Sequence, residues 1–518
     1  MKRILILHDL SVGSRRTNRD HVYNFAKYAK GNFYLFHAAN APQSDAMRNI
    51  AWDGVIINYC FLGYRASTLY ERVRADWAWL VDIDCPKVGI AQDDYTDSGH
   101  LDDWLQSIGT TVIYSPVTQS LEQIYPKNYG WTEIREGLTA YVDSKQLTEL
   151  ATFATSWDER TIDVGTRVRY LPPQFGRYGR RKGETAEDFR DSAEQQGFAV
   201  DISTSPEDVI FGNDWLRFVG NCKFTLGSRG GSSINDPDGS IRKAISAYMV
   251  NHPNAGFAEV ERKCFPGVDG EFVFAGISPR LFESAALGTC QILIRDEYVG
   301  GIEPYIDYIP MEDDLSNLDE VFTLMRDEAK VKSMIASCHA KLVASKAFDY
   351  EKFVAEVLDI FPDGDAVLSD RDVECIHAHF KAIEPFLAIK KQRSNFYERG
   401  WRRTLAKMSY GRSLSHANAI FGMDPLLRGS PAFVSAMFQS LPPTLAYELT
   451  AQTLAELPPD SPILSSMKAL TEWAVDEDKS FEDLDVWWDM CEYIYEPEET
   501  QNIDLSGENG PTSEKVMS

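Results

Sequence analysis

Positive charge is scarce in this sequence. Its 518 residues include 52 Lys and Arg against 78 Asp and Glu, which gives a formal net charge of −26 at pH 7. Proteins that bind nucleic acid present a basic face to the phosphate backbone. The charge balance therefore argues against general nucleic-acid binding.

Metal-binding and disulfide patterns are also missing. The eight cysteines form no CxxC pair, and no HxxxH or HExxH pattern occurs. Because such spacings are the ones that hold zinc, we expect no metal and no bound cofactor. Isolated cysteines in apolar runs behave as small hydrophobic residues, and reduced thiols are typical of the cytoplasm. We therefore expect a cytoplasmic protein.

The sequence begins without a long hydrophobic run. Its first apolar stretch, Ile4 to Leu7, is interrupted at once by His8 and Asp9. This stretch is too short for a secretory signal or a membrane span. It predicts the first strand of a sheet.

Apolar runs and amphipathic stretches alternate regularly over residues 1–155. Continuous apolar runs are typical of strands that are buried on both faces of a parallel sheet. Strands that alternate with helices in this way predict a doubly wound α/β domain. The predicted strands are RILILHD, NFYLFHA, WDGVIINYCF, PKVGIAQDD and TTVIYSP.

The same alternation continues over residues 156–362. The predicted fold class is therefore α/β, with two doubly wound Rossmann-like domains in series. Ligands bind such sheets at the carboxyl ends of the strands, so a cleft is expected between the two domains. The predicted strands of the second domain are 163–171, 198–204, 223–228 and 290–294, and its predicted helices lie near 183–196, 206–220, 279–288, 315–345 and 349–361.

The pattern changes after Pro362. Residues 363–500 read as helical segments without clear strands, and they predict a helical extension. The polar tail at 501–518 is predicted to be disordered, because it cannot bury enough apolar surface to order itself.

A basic motif follows the first predicted strand of the second domain. Residues 174–183 read QFGRYGRRKG, with Arg177 and Lys182 five positions apart. A forked cation and a point cation together suit a diphosphate. A helix starting near Gly183 would aim its N-terminus at the same anion. A basic surface loop is the competing interpretation.

A second motif, SPRLFESAALGTCQIL, occupies residues 278–293. It places Glu283 close to a predicted helix start and small residues where that helix meets the sheet, and Gly288 ends the helix. A carboxylate at this place can accept hydrogen bonds from hydroxyl groups. An ordinary helix–strand unit with one solvated Glu is the alternative.

Together the two motifs resemble those of the retaining GT-B glycosyltransferases, of the group-1 and group-4 kind, with this chain as a divergent member. The resemblance covers roughly residues 1–361. It implies an acceptor domain at 1–155 and a nucleotide-sugar donor domain at 156–362. It also implies that Arg177 and Lys182 clamp the donor diphosphate, and that Glu283 binds the donor ribose hydroxyls.

The sequence departs from this family at the transferred sugar. The family has an earlier Glu that contacts that sugar, whereas here Ala275 lies eight positions before Glu283. Ser278 and Arg280 stand in the intervening turn and are assigned to the donor site, where Arg280 takes over part of the phosphate or sugar contact. The missing carboxylate leaves the donor and the stereochemical outcome open.

A Gly- and Ser-rich stretch at 225–243, TLGSRGGSSINDPDGSIRK, follows another predicted strand. Its backbone can approach a ligand closely and form an anion-binding nest. The family has a similar corner at this place, so Gly227 and Ser228 are also assigned to the donor site. About fifty residues separate this corner from Glu283, which predicts an insertion.

In the first domain, Asp93 and Asp94 follow the predicted strand PKVGI. A carboxylate at this edge could act as general base on an acceptor hydroxyl if the reaction inverts configuration. A helix N-cap followed by a solvated turn is the competing interpretation.

The expected function is a metal-independent transfer of a sugar from a nucleotide-sugar donor to a carbohydrate or lipid-linked acceptor, in bacterial surface polysaccharide or glycoconjugate synthesis. Two alternatives stay open. One is a nucleotide-sugar epimerase on the same fold, and the other is a scaffold that kept the fold and lost its chemistry.

Residues 390–412 form a basic segment in an acidic protein. They hold eight Lys or Arg and one Glu, and Trp401, Leu405 and Met408 fall at helical spacing. A basic helix with an apolar stripe is typical of a peripheral contact with the inner face of the membrane. The alternative is an internal clasp, because residues 456–499 hold fourteen acidic residues that could pair with it.

Overall fold

The computed structural model describes residues 1–383 except 11–15, 40, 42, 68, 211, 365 and 366, together with the backbone of residues 492–495. The basic segment at 390–412, the tail at 501–518 and most of the acidic stretch lie outside the described residues. Within the described part, no helix is both long and apolar enough to cross a membrane.

The first domain is built on a parallel sheet whose strands are almost all buried on both faces. Its neighbouring strands run parallel in the order β2-β1-β3-β4-β5-β6. Aliphatic and aromatic residues fill both faces, so helices must cover each of them. The strands are β1 (Arg3–His8), β2 (Phe33–Ala38), β3 (Gly54–Ile57), β4 (Lys87–Ile90), β5 (Val112–Ser115) and β6 (Glu133–Glu136).

Helices connect these strands and shield the sheet from water. Some are single turns with a side-chain cap: Ser44 accepts a hydrogen bond from the Met47 amide at the start of the second helix. The helices of this part are α1 (Arg16–Tyr28), α2 (Asp45–Arg48), α3 (Tyr59–Leu62), α4 (Tyr70–Asp76), α5 (Ser98–Ser107), α6 (Leu121–Ile124) and α7 (Leu147–Ala151).

The second domain repeats the plan with a five-stranded parallel sheet in the order β13-β12-β9-β7-β8, and adds a separate antiparallel hairpin, β10-β11. The strands are β7 (Ile162–Arg167), β8 (Val200–Ser203), β9 (Cys222–Gly227), β10 (Gly230–Ser232), β11 (Phe274–Gly276), β12 (Cys290–Ile294) and β13 (Ile309–Met311).

Most helices in this part of the chain flank the second sheet or belong to the segment between β9 and β12. The last helix, at Tyr350–Leu358, instead lies against the first sheet. The helix α14 continues into a π-helical turn at Ala340–Ala344. The helices are α8 (Gly176–Gln195), α9 (Gly212–Gly220), α10 (Ser240–Asn251), α11 (Phe257–Cys264), α12 (Arg280–Ala286), α13 (Leu318–Met325), α14 (Glu328–His339) and α15 (Tyr350–Leu358).

Both sheets reverse their strand order beside their first strand. The switch lies between β1 and β3 in the first sheet and between β7 and β9 in the second. A crevice opens at such a point beyond the carboxyl ends of the strands, where ligands bind. The prediction of an α/β fold with two doubly wound sheets is confirmed.

The final helix of the predicted second half packs on the first sheet. Side chains of α15 are buried in a cluster with residues of β1, and Phe361 packs so close to Gly54 of β3 that a Cβ there would lie 2.4 Å from its ring. Burying each such side chain contributes about 1.5–3 kcal/mol. The expectation that this helix closes the second domain is therefore corrected.

The predicted insertion after β9 forms its own layer, made of the hairpin β10-β11 and the helices α10 and α11. It reaches the first domain: the Gly99 amide donates to the Pro237 carbonyl at 2.9 Å, and the Ser98 hydroxyl donates to Asn235 at 2.6 Å. Phe274 is fully buried in the core of the first domain. The insertion therefore joins the two domains.

The C-terminal extension also returns to the first domain. Residues 370–383 are helical, and Asp372 accepts a hydrogen bond from Arg3 of β1 at 2.9 Å. The strand β14 (Glu492–Tyr495) pairs antiparallel with β2 at the edge of the first sheet. The expectation of an extension without strands is corrected at this point.

Candidate functional site

An open pocket lies at the second sheet beside its switch point, where ligands of such folds bind. The lining residues come from β7, β9, β12, three helices and the turn before α12. They include Thr166, Lys182, Trp215, Thr225, Gly227, Ser228, Ser278, Arg280, Ser284, Gln291 and Tyr298.

The basic motif lies on a helix rather than in a loop. The helix α8 begins at Gly176, whereas the sequence predicted a start near Gly183. Arg177 and Lys182 are five helical steps apart, which separates their directions by about 140°. The two cations therefore leave different faces of the helix, and only Lys182 lines the pocket.

Arg177 is held by the insertion. Both of its contacts to Glu261 are short, at 2.8 and 2.9 Å, and Asp269 lies 3.5 Å away. Its side chain is 71% exposed. The structure therefore does not bring Arg177 together with Lys182 as a clamp.

The N-terminus of α8 already holds a carboxylate from this chain. Asp269 accepts a hydrogen bond from the Arg177 amide at 3.0 Å, and Ser233 accepts one from the Tyr178 amide at 3.1 Å. Asp269 is almost fully buried there. These groups satisfy two of the first amides of α8, and Gly183, where the sequence predicted the helix start that faces the diphosphate, lies inside this helix.

Lys182 is different, because it has no ion-pair or hydrogen-bond partner among the described residues. Its ammonium lies beside the loop after β9, 3.5 Å from where a Cβ of Gly230 would stand. Burial, followed by the Arg280 and Arg181 guanidinium groups, lowers the pKa of Lys182 to about 7. An anion that binds here would interact favourably with the Lys182 amine and with the two neighbouring guanidinium groups.

Glu283 is tied into a short chain of side chains at the pocket wall. It accepts a hydrogen bond from the Trp215 indole at 2.8 Å, and the Arg280 guanidinium lies over that indole ring at 4.7 Å from its centroid. The chain orients Arg280, whose cation adds to that of Lys182. Glu283 itself lies behind Trp215 and does not line the pocket.

The remaining assigned residues form one wall of the same pocket. Gly227 and Ser228 end β9, and Ser278 precedes α12. Trp215, on α9, is a residue that the sequence analysis missed, as are Thr225 and Ser284, whose hydroxyls lie 3.1 Å apart. No sequence signal marks them, since single polar residues occur in every helix and strand.

Asp93 and Asp94 occupy contrasting positions. Asp94 is fully buried, where it accepts hydrogen bonds from the Ser115 and Tyr125 hydroxyls, both at 2.6 Å. Burial raises the pKa of Asp94. Asp93 is exposed, has a left-handed backbone with φ of 50° and accepts a hydrogen bond from Tyr95 at 2.9 Å. Of the two, only Asp93 is open to a substrate.

A further carboxylate, Asp20 on α1, faces the second domain. Burial raises the pKa of Asp20 to about 6, and the charges of Asp143 and Glu283 act in the same direction against Arg16 and Lys27. Nothing in the sequence distinguished this aspartate from other helical ones.

The described residues contain no group of three or more His, Cys, Asp or Glu that could hold a metal ion. The cations Lys182 and Arg280 are therefore the charged groups at the pocket that could meet an anion.

Comparisons with known proteins found no matching family model and no matching curated protein. The described fold is similar to that of several solved glycosyltransferase structures. Anabaena HepE in complex with UDP and glucose is 12% identical with a TM-score of 0.39, over 69% of this chain and 100% of that one.

Two other structures are similar at the same level. Sucrose-phosphate synthase from Thermosynechococcus elongatus is 10% identical with a TM-score of 0.40, over 70% of this chain and 98% of that one. An α-glucosyltransferase in complex with UDP-glucose and DNA containing an abasic site is 12% identical with a TM-score of 0.40, over 69% and 99%.

Proposed function

We propose that this protein is a glycosyltransferase that binds a nucleotide-sugar donor in the pocket of the second domain. It transfers the sugar to a carbohydrate or lipid-linked acceptor, in bacterial surface polysaccharide or glycoconjugate synthesis in the cytoplasm. The single observation that carries the proposal is the Lys182 amine, which has no partner among the described residues and lines a pocket at the switch point of a parallel sheet.

The donor diphosphate meets Lys182 and Arg280. As the bond between the sugar and the diphosphate breaks, negative charge grows on the leaving oxygens, and cations already in place stabilise it. Arg280 is held by the Trp215 ring, so little ordering is needed when the donor binds. These two cations perform the task for which other transferases use a divalent metal, so we propose metal-independent chemistry.

The acceptor lies on the side of the first domain. Asp93 is the exposed carboxylate at the carboxyl end of β4, and it can remove a proton from an acceptor hydroxyl. Its hydrogen bond from Tyr95 holds the carboxylate in place. Asp94, in contrast, is fully buried and accepts hydrogen bonds from Ser115 and Tyr125, so we assign it a structural role.

Replacing the two neighbouring aspartates should separate these roles. Asp93→Asn keeps a residue that tolerates a left-handed backbone, so we expect an unchanged melting temperature and turnover lowered about a hundredfold. Asp94→Ala leaves the buried Tyr125 hydroxyl without its acceptor, whereas the Ser115 hydroxyl can still donate to the Val117 carbonyl at 3.0 Å, so we expect a loss of about 1–3 kcal/mol of unfolding free energy. Thermal melts and steady-state kinetics measure both; equal melting temperatures for the two variants would contradict the assignment.

The proposed function is tested by incubating the protein with UDP-, GDP- and ADP-activated sugars and measuring release of the nucleoside diphosphate. Release that depends on an added glycan or lipid-linked acceptor is expected with at least one donor. The absence of both binding and release across the panel would contradict the proposal.

Glu283→Gln supplies a residue-level test of the donor site. The change weakens the Trp215–Glu283 hydrogen bond that orients Arg280. Because Glu283 acts through Arg280 and not on the donor itself, we expect donor affinity to fall by less than the about 1.5–3 kcal/mol of a direct hydrogen bond to a charged group. Calorimetry with the preferred nucleotide measures the affinities. The control is Glu194→Gln on the exposed face of α8, and equal affinities for Glu283→Gln and this control would remove Glu283 from the donor site.

A scaffold that binds the nucleotide without turnover is the second candidate. The observation that favours it is the capping of α8 by Asp269, which leaves one cation of the expected pair turned away from the pocket. Tight nucleotide binding without release from any donor would support this candidate over the transferase.

A further inference from the structure

Two aromatic side chains on one loop of the first domain point into solvent. Trp131 is 90% exposed and Tyr129 is 50% exposed. Neither ring stacks on another ring or a cation within the described part of the chain. The Trp131 ring therefore keeps a large apolar surface in water, which a bound ligand could bury.

The loop is held rigidly by buried polar groups. Asp102, which is 1% exposed, accepts hydrogen bonds from the Lys127 and Asn128 amides at 2.8 and 3.2 Å. The Asn128 side chain donates to Asp102 at 2.7 Å and accepts from the Thr132 hydroxyl at 2.8 Å. Two buried polar side chains therefore fix the backbone that carries both rings, so little entropy is lost when a ligand binds.

The loop lies far from the pocket. Trp131 precedes β6, at the amino end of a parallel strand, whereas the cleft lies at the carboxyl ends. Four residues of strand separate the two edges by roughly 13 Å. A ligand on this loop is therefore separate from the donor and from the reacting acceptor hydroxyl.

The charges of the loop are already paired. Lys127 forms an ion pair with Asp103, and Arg135 forms one with Glu133 at 2.8 Å. No other Asp, Glu, Lys or Arg occurs in residues 126–135. The loop therefore presents no unpaired cation to phosphates or anionic lipids, and no unpaired carboxylate to a cationic ligand.

The apolar area is also small. Two aromatic rings with these exposures offer roughly 300 Å², if a whole ring buries up to about 250 Å². A standard protein interface needs about 800 Å² from each partner. An uncharged ligand with flat, ring-sized apolar faces and a polar rim fits this loop better than a protein partner, and the sugar rings of a neutral glycan have that form.

We propose that Tyr129 and Trp131 form a second binding site, for a neutral carbohydrate chain. The rings stack on the C–H faces of its sugars, whose partial positive charge the negative ring faces attract. The inference goes beyond the proposed function, because carbohydrate would bind this loop whether or not the pocket transfers a sugar.

The test is native gel electrophoresis through gels that contain a soluble neutral polysaccharide, namely a glucan, a mannan or a galactan. We expect at least one of them to retard the full-length protein. Trp131→Ala should raise the apparent dissociation constant at least tenfold, and Trp131→Phe, which keeps a flat ring, should recover part of the retardation. Nucleotide binding in the pocket should be unchanged in both variants, so failure here is distinguishable from failure of the proposed function.

The control variant is Val81→Ala, which removes another exposed apolar side chain, 54% exposed, from the same domain. It should migrate as the unmodified protein does. Retardation by none of the three polysaccharides, or equal retardation of Trp131→Ala, would overturn the proposal. A change in sedimentation or in vesicle binding upon Trp131→Ala would overturn it too, since another copy or a lipid surface would then be the occupant.

Discussion

Lys182→Ala is expected to lower turnover about a hundredfold to a thousandfold, the loss that follows when one preorganised group is removed from a developing negative charge. The lysine has no partner among the described residues, so its removal strands no carboxylate. In the folded protein its pKa is about 7, against 10.5 in the unfolded chain. The charged amine therefore opposes folding below pH 7, and this opposition fades as the pH rises towards 10.5. We expect no loss of stability at neutral pH.

Arg177→Ala is the matched control for this prediction. The resemblance implied equal roles for the two cations, but Arg177 contacts Glu261 and Asp269 on the insertion. We expect its removal to leave turnover nearly unchanged. Steady-state kinetics and thermal melts on both variants decide the matter. Equal losses of turnover would show that the insertion moves and releases Arg177 to the donor.

The pH dependence of nucleotide binding supplies a second readout. A bound diphosphate favours the charged form of Lys182, so its pKa rises upon binding and a proton is taken up. We expect affinity to fall as the pH increases from 7 to 9, with proton uptake visible by calorimetry in buffers of different ionisation enthalpy. Lys182→Arg, which stays charged throughout, should remove this pH dependence; an unchanged profile would assign the titration to another group.

Arg242→Ala is expected to lower the apparent unfolding free energy by about 1.5–3 kcal/mol, the value of a hydrogen bond to a charged group. Arg242 of α10 is 29% exposed and donates to both oxygens of Asp97, at 3.0 and 3.1 Å. The Asp97 side chain is 2% exposed, and after the change only the His100 ring, 3.7 Å away, would remain close to its carboxylate. This ion pair joins the insertion to the first domain, and its loss should also widen the cleft.

Thermal denaturation and small-angle scattering measure these two effects. The matched control is Arg190→Ala, whose partner is the exposed neighbour Asp191, 2.9 Å away. An exposed pair contributes about 0–1 kcal/mol, so little change is expected there. Replacing Asp97 and Arg242 together should recover part of the stability, because no buried charge is then left alone. Equal losses for the single Arg242 and Arg190 variants would show that the insertion does not join the domains.

The strands that the sequence predicted are those whose residues are continuous apolar runs. The strand β6, in contrast, reads EIRE, is partly exposed and lies at a sheet edge, where charged residues are common. The strand β13 has three residues and contains Pro310. The strand β6 was missed because it lacks the burial on two faces that produces the apolar signal, whereas β13 is buried but too short to give a continuous apolar run.

The pocket of the second domain contains some of the residues that the sequence assigned to a donor site. Five of the assigned residues line it, because motifs that follow strand ends come together at one edge of a parallel sheet: Lys182, Gly227, Ser228, Ser278 and Arg280. Glu283 lies behind that wall, and Arg177 is turned away by Glu261, which is 84 positions distant in the sequence. A partner so far along the chain leaves no mark on the local pattern.

The sequence by itself therefore determined the α/β class and the two doubly wound sheets, since the hydrophobic pattern and the alternation of strands with helices follow from neighbouring residues. Only the tertiary structure decided that α8 starts at Gly176, that Asp94 is buried and that α15 returns to the first sheet. Each of these depends on contacts between distant segments. The free energy of such contacts depends on how closely the side chains pack and on whether the charged groups that are removed from water are paired with each other.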